Sequence, residues 1–267
     1  MLEPWFKCKC EAIGCMEFEI LHRPSYAVLD VELGRGEEVR AARGALLSRS
    51  RDVTMEADVG GADGIGGMVR RAVSDDPAPV ETTFTAERDG ATVTLAPAHP
   101  GDVTAVDVEE RGPLSVRSAA TLAWEPAVEH ATRTGVTGSR SGSEGITVLG
   151  LSGAGWAFLS SFGAISERVV TPEDPLVADE DHLLAWTAGL DVSRERVGGI
   201  RTNTLGGEGS VATLSGDGHV WLQTRTPFRS GPSGTGGDRD ARPTERRTDR
   251  RTDQRTDRRT DQRTDTR

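Results

Sequence analysis

The sequence predicts an all-β protein: a β-sandwich of three internal repeats in a pseudo-threefold arrangement, with one short helix near residues 65–73. Three observations carry this reading. Short runs alternate apolar and polar residues and break at Gly, Pro or Asp, as antiparallel hairpins do. The chain holds 32 glycines, with abundant Thr, Val and Ser, and only 35% hydrophobic residues, a balance that favours turns and strands over a helical bundle. Finally, two stretches of the chain resemble each other at an offset of 62–63 residues, the mark of a repeat architecture.

From the N-terminus, the first unusual stretch is residues 1–15. It contains both lysines of the chain, Lys7 and Lys9, and all three cysteines, Cys8, Cys10 and Cys15. The Cys spacing could supply thiolates to a metal. A start placed too early explains the foreign composition as a whole, so residues 1–15 are expected to be a disordered extension. Met16–Ile20 opens the body as a strand-like run, and Val28–Leu33 alternates up to the Gly34-Arg35-Gly36 break before Val39. The glycine-rich stretch Gly60–Gly67 leads into the expected helix, Ile65–Val73. Val103–Val108 reads as a strand that stops near Gly112-Pro113, with Leu114–Val116 as its successor.

The repeat is clearest at Leu151–Leu159 against Leu214–Leu222, where Leu-Ser-Gly-x-Gly recurs. Leu122-Ala123-Trp124 and Leu184-Ala185-Trp186 form a second matching pair. A weaker copy places Leu46-Leu47 at the Leu-Ala-Trp position and Phe84–Leu95 at the Leu-Ser-Gly position. Repeats of about 16–99, 100–163 and 164–229 follow, each too small to bury both faces of its sheets alone, so a shared core is expected. Residues 230–267 read as a linker and a disordered tail. There Arg-Thr-Asp recurs every four residues from Arg247, and an Asp two residues after each repeat Arg cancels most of the field expected of a nucleic-acid arm.

The net charge of −10 hides an uneven distribution. Residues 16–237 hold 19 basic and 32 acidic residues, a net of −13, and every basic side chain after Met16 is Arg. An acidic, lysine-free body suits molar salt, where the Debye length is about 3 Å and self-repulsion is screened. A halophilic, archaeal source is therefore expected. No apolar run approaches the ~20 residues of a membrane-spanning helix, and no secretory signal is recognisable, so the expected location is cytoplasmic.

In their order along the chain, several of these features resemble one known family. They are Met16–Ile20, the Gly60–Arg71 stretch, Pro100-Gly101-Asp102, Gly153 and Gly155 with Leu159–Ile165, Gly198-Gly199, Gly206–Gly209, and Val220–Arg225. The chain is similar in these features to the altered-inheritance-of-mitochondria protein twenty-four family, also called the mitochondrial biogenesis family. The resemblance spans about Met16 to Pro227. It departs from the family pattern at Ser143-Glu144-Gly145, where a fuller glycine motif is expected, and at Asp75–Val80. The resemblance implies a compact β-sandwich similar in kind to tryptophan RNA-binding attenuation proteins, and homo-oligomers, with a trimer favoured. It also implies structural turns at Gly101, Asp102, Gly153, Gly155, Gly207, Glu208, Gly209, Gly216 and Gly218. Mitochondrial relatives are tied to inner-membrane organisation, while prokaryotic members are unassigned.

Catalytic chemistry finds little support in these residues. His22, His99, His130, His182 and His219 are scattered without metal-ligand spacing, and no serine sits in a nucleophile elbow. No cofactor, metal site or catalytic set is expected. The acidic body disfavours nucleic acid. Association of the short 65–73 helix with a membrane surface is disfavoured by Asp75 and Asp76. The leading expectation is a non-enzymatic homo-oligomeric scaffold or binding protein whose partner is unknown. An alternative is a small-ligand or carbohydrate-binding β-protein in which Trp124 and Trp186 stack on the ligand. A third is a hydrolase-type enzyme that uses His99 and Asp102.

Overall fold

The computed structural model describes residues 7–8, 16–58, 81–133, 148–196 and 210–226, all within the compact unit Met1–Phe228. The alternating runs become strands with one face inward. Ala91, Val93 and Leu95 are fully buried, for example, while Thr92 and Thr94 between them are not.

In chain order the described strands begin with β1 (Lys7–Cys8), β2 (Glu17–Leu21), β3 (Val28–Leu33), β4 (Glu38–Ala42), β5 (Leu46–Arg49), β6 (Val53–Asp58), β7 (Glu81–Ala86) and β8 (Ala91–Leu95). There follow β9 (Val103–Asp107), β10 (Leu114–Arg117), β11 (Thr121–Trp124), β12 (Val128–Arg133), β13 (Val148–Gly153) and β14 (Trp156–Ser160). The last are β15 (Ile165–Val170), β16 (Leu176–Asp179), β17 (Leu183–Thr187), β18 (Asp191–Arg196), β19 (Ser210–Ser215) and β20 (Gly218–Gln223). They form antiparallel sheets ordered β1-β2-β3-β8-β5, β6-β7-β4-β11-β14-β9, β12-β13-β10-β17-β20-β15 and β16-β19-β18.

One pairing scheme recurs in three blocks, β3–β8, β9–β14 and β15–β20. Within each block the first, sixth and third strands are neighbours, and so are the second, fifth and fourth. The two trios lie in different sheets. The six-stranded sheets arise where the second-strand trio of one block meets the third-strand trio of the next, through β4–β11 and β10–β17. The third strand of every block carries a register slip at the same place: Leu46/Ser48, Thr121/Ala123 and Leu183/Ala185. Trp124 and Trp186 therefore hold matching positions.

The apolar residues do not gather in one shared core. Among the described residues they form three clusters, between the first and second sheets, the second and third, and the third and fourth. A shared sheet serves two clusters because successive side chains point to opposite faces. Ala123 faces the first cluster and Trp124 the second. This two-sided burial makes Thr121–Trp124 and Leu183–Thr187 buried throughout.

The helix expected at 65–73 lies outside the described residues. A different short helix, α1 (Val108–Arg111), follows β9 where an unbroken strand through Val108 was expected. The Asp107 side chain ends the strand by accepting from the backbone N–H of Glu109 and Glu110 at 3.0 and 3.1 Å, an N-cap that satisfies two donors of the first turn. Of residues 1–15, Lys7–Cys8 pair with β2, Lys7 opposite Glu19 and Cys8 opposite Phe18. The rest of that stretch and residues 230–267 lie outside the described residues.

Candidate functional site

The Pro100-Gly101-Asp102 motif forms a buried anchor. Asp102 is 2% exposed, and its carboxylate accepts a two-pronged contact from Arg23, Nε to Oδ1 at 2.8 Å and a terminal guanidinium nitrogen to Oδ2 at 2.9 Å. The backbone N–H of Val103 donates to the same Oδ1 at 2.9 Å. Ser161 Oγ accepts from the Asp102 N–H at 3.1 Å and donates to the Gly163 carbonyl at 2.6 Å. The Arg23 guanidinium is held above its ordinary pKa, chiefly by its hydrogen bond to Asp102 and also by that carboxylate's charge, against the opposing effect of burial. Gly101 bridges to Gly163, and a Cβ at Gly101 would run into the Ser161 carbonyl oxygen. The glycine serves close approach of two backbones.

This geometry does not assemble His99 and Asp102. His99 is exposed and lies edge-on to Phe162, with ring centroids 5.9 Å apart, whereas both oxygens of Asp102 are occupied by Arg23. Trp124 and Trp186 also correct the sequence expectation. Both are 1% exposed, so neither can stack on a ligand from solvent. The Trp124 indole Nε1 has no hydrogen-bond partner, and its ring meets His130 edge-on at 5.1 Å.

Among the glycine turns, Gly153, Gly155 and Gly216 have positive φ, and a Cβ at Gly218 would meet the Thr187 hydroxyl. Gly207, Glu208 and Gly209 lie outside the described residues. Gly155 also gives way to Glu125, whose Oε2 accepts the Trp156 N–H at 2.8 Å. Burial pushes the Glu125 carboxyl above its ordinary pKa, with smaller contributions from Asp107 and Glu37, while hydrogen bonds from the Trp156 and Met16 backbone oppose the shift. Glu125, Glu37, Glu38 and Met16 line a cleft beside this turn.

Sequence reasoning missed the partners of the strand histidines. His130 Nε2 stands 2.7 Å from Glu81 Oε2. His219 sits between Glu167, Nδ1 to Oε1 at 2.8 Å, and Arg111, whose Nη1 is 2.8 Å from Nε2. These pairs join residues 49 to 108 positions apart, and no local pattern announces them.

Two strands stand apart from their counterparts. The third strands β11 and β17 are buried throughout, yet β5, at the same place in its block, is exposed along its whole length, Leu47 to 60%. Among second strands, Leu114, Ser115 and Val116 of β10 are buried and β4 alternates buried with half-buried residues. In β16, Val177, at the position of Ser115, is 62% exposed. β5 and β16 are each the last strand of a sheet, whereas β4, β10, β11 and β17 are covered on that side by a neighbouring block. Free edges of this kind offer unpaired backbone groups to another strand.

The architecture defines an all-β sandwich protein built of consecutive strand blocks that share sheets, with β5 and β16, among the described residues, lacking the neighbouring block that covers their counterparts. The chain belongs to the Mitochondrial biogenesis AIM24 family, whose model matches residues 18–225. It is similar to an uncharacterized protein of Streptococcus pyogenes serotype M6, 24% identical over 215 residues that span 78% of this chain and 86% of that protein. Its fold is that of a crystal structure from Streptococcus pyogenes, protein SPYM3_0169, with a TM-score of 0.66 at 22% identity. That match covers 79% of this chain and 94% of the other. Among the described residues, no helix is long and apolar enough to cross a membrane.

Proposed function

We propose that this chain is a non-enzymatic scaffold or binding protein that works as a homo-oligomer in a concentrated-salt cytoplasm. The observation that carries the reading is the exposure of all of β5 and of Val177 in β16, when β11 and β17, at the block position of β5, are buried throughout and Ser115 of β10, at the position of Val177, is buried. The engagement of Asp102 by Arg23 favours this reading over a hydrolase, because a carboxylate clamped by a guanidinium is poorly placed to serve as a base.

The net −13 of residues 16–237 sets the conditions of assembly. At 0.01 M salt the Debye length is about 30 Å and copies repel across a whole interface. In about 2–4 M salt, screening falls to ~3 Å or less and salting-out ions strengthen apolar burial. Light scattering of the full chain across a salt series is expected to report an oligomer, a trimer by family resemblance, at high salt and smaller species as salt is withdrawn. A monomer at every salt concentration would overturn the reading.

A further inference from the structure

We infer that β16 of one copy pairs antiparallel with β5 of a second copy, in the register the chain already uses twice between its own blocks. The inference rests on the oligomeric reading above and adds which edges meet and how they align.

The two internal joins provide the template. In β4–β11, Arg40 lies opposite Trp124 and Ala41 opposite Ala123. In β10–β17, Ser115 lies opposite Trp186 and Val116 opposite Ala185. The registers coincide once Trp124 is matched with Trp186. The matching positions on the open strands follow from pairings inside each block. Leu114 faces Leu151 and Leu176 faces Leu214, and these partners are the same position of the repeated Leu-Ser-Gly sequence. Val177 therefore corresponds to Ser115, and Ala178 to Val116. The shared register slips align Ser48 with Ala123 and Ala185, and Arg49 with Trp124 and Trp186. Carried across copies, the join sets Val177 opposite Arg49 and Ala178 opposite Ser48.

Charge points to the same occupant. Residues 43–51, around β5, carry three arginines, Arg43, Arg49 and Arg51, and no acid. Residues 173–181, around β16, carry no base, and of their acids Glu173 and Asp174 are exposed and Asp179 half-buried, while Glu180 is buried. In a body of net −13, a wholly basic stretch at one open edge and a wholly acidic one at the other form a complementary pair, and complementary potentials select partner and register. The two edges of one chain belong to different sheets and are not paired with each other. The contact is heterologous, so it leaves a free edge at each end until a ring closes or a filament grows.

Cysteine cross-linking tests the register. In the full chain with Cys8, Cys10 and Cys15 replaced by Ser, the single variants Arg49→Cys and Val177→Cys are oxidised in molar salt, alone and mixed. Opposed Cα atoms across an antiparallel pair are about 4.5–5.5 Å apart, within reach of a disulfide. A covalent dimer is expected from the mixture and from neither variant alone, and a ladder of multimers from the double variant. Ser48→Cys with Ala178→Cys repeats the test on the next rung and leaves Arg49 intact. Leu47→Cys with Val177→Cys, two residues out of register, is expected to cross-link poorly. A dimer from either single variant alone, or an internally linked monomer from the double variant, overturns the inference. So does an uncrosslinked mixture that light scattering finds oligomeric, which spares the scaffold reading. A monomer by light scattering overturns both.

Discussion

Replacing Arg23 by Ala removes both guanidinium contacts to Asp102, which is 2% exposed in the parent, and leaves the Val103 backbone N–H as the remaining donor to its carboxylate. Breaking a buried ion pair from one side costs about 3–5 kcal/mol, because the other charge stays desolvated. Arg23 is itself about one-third exposed, so water can follow it into the space it vacates. The lower end, about 3 kcal/mol, is the fitting figure. For a folded body of this size that is a fall in Tm of about 6–12 °C. The control is Arg88→Ala. Arg88 meets Asp52 at 2.6 Å, but the two side chains are 60% and 41% exposed, so its loss is expected to stay within about 0.5 kcal/mol. Thermal unfolding of both variants in molar salt separates the cases, because salt screens the exposed pair and largely spares the buried one. Equal, small shifts for the two variants would refute the view that Asp102 depends on Arg23.

Two further outcomes are expected from side chains inside the sheets. Trp124→Ala is expected to cost about 3–5 kcal/mol through the cavity it leaves, and Trp124→Phe clearly less, since the cavity is smaller and the Trp124 N–H has no partner to lose. Denaturant titration compares them, and a Phe variant as damaged as the Ala variant would reveal a hydrogen bond the packing does not account for. The raised pKa of Glu125 means that the folded state holds its proton more tightly than the unfolded chain. Its contribution to stability is therefore full below the ordinary carboxylate pKa of about 4.3 and is lost as pH rises through the folded value. Glu125→Gln is expected to gain Tm relative to the parent as pH increases from about 4 to neutrality. A difference that is flat or falls with pH would contradict the burial argument.

The sequence by itself determined the strands, their turns and the equivalence of Trp124 with Trp186, because alternation and turn chemistry are local and a repeated sequence carries its own alignment. Alternation says which residues share a face of a strand but not which strand lies beside it, so the division of each block between two sheets came only from the tertiary structure. The same holds for the three successive clusters in place of a single core. Arg23 and Asp102 are 79 residues apart, and their contact has no local signature. The burial of the tryptophans followed from packing on both faces of a shared sheet. Leu46-Leu47 reads like Leu183-Leu184, which holds the matching place in its block, yet one pair sits at a sheet edge and the other inside a sheet. A strand's own residues cannot distinguish the two places. Whether another block lies alongside is decided by the chain as a whole, and among the described residues none does at β5 and β16.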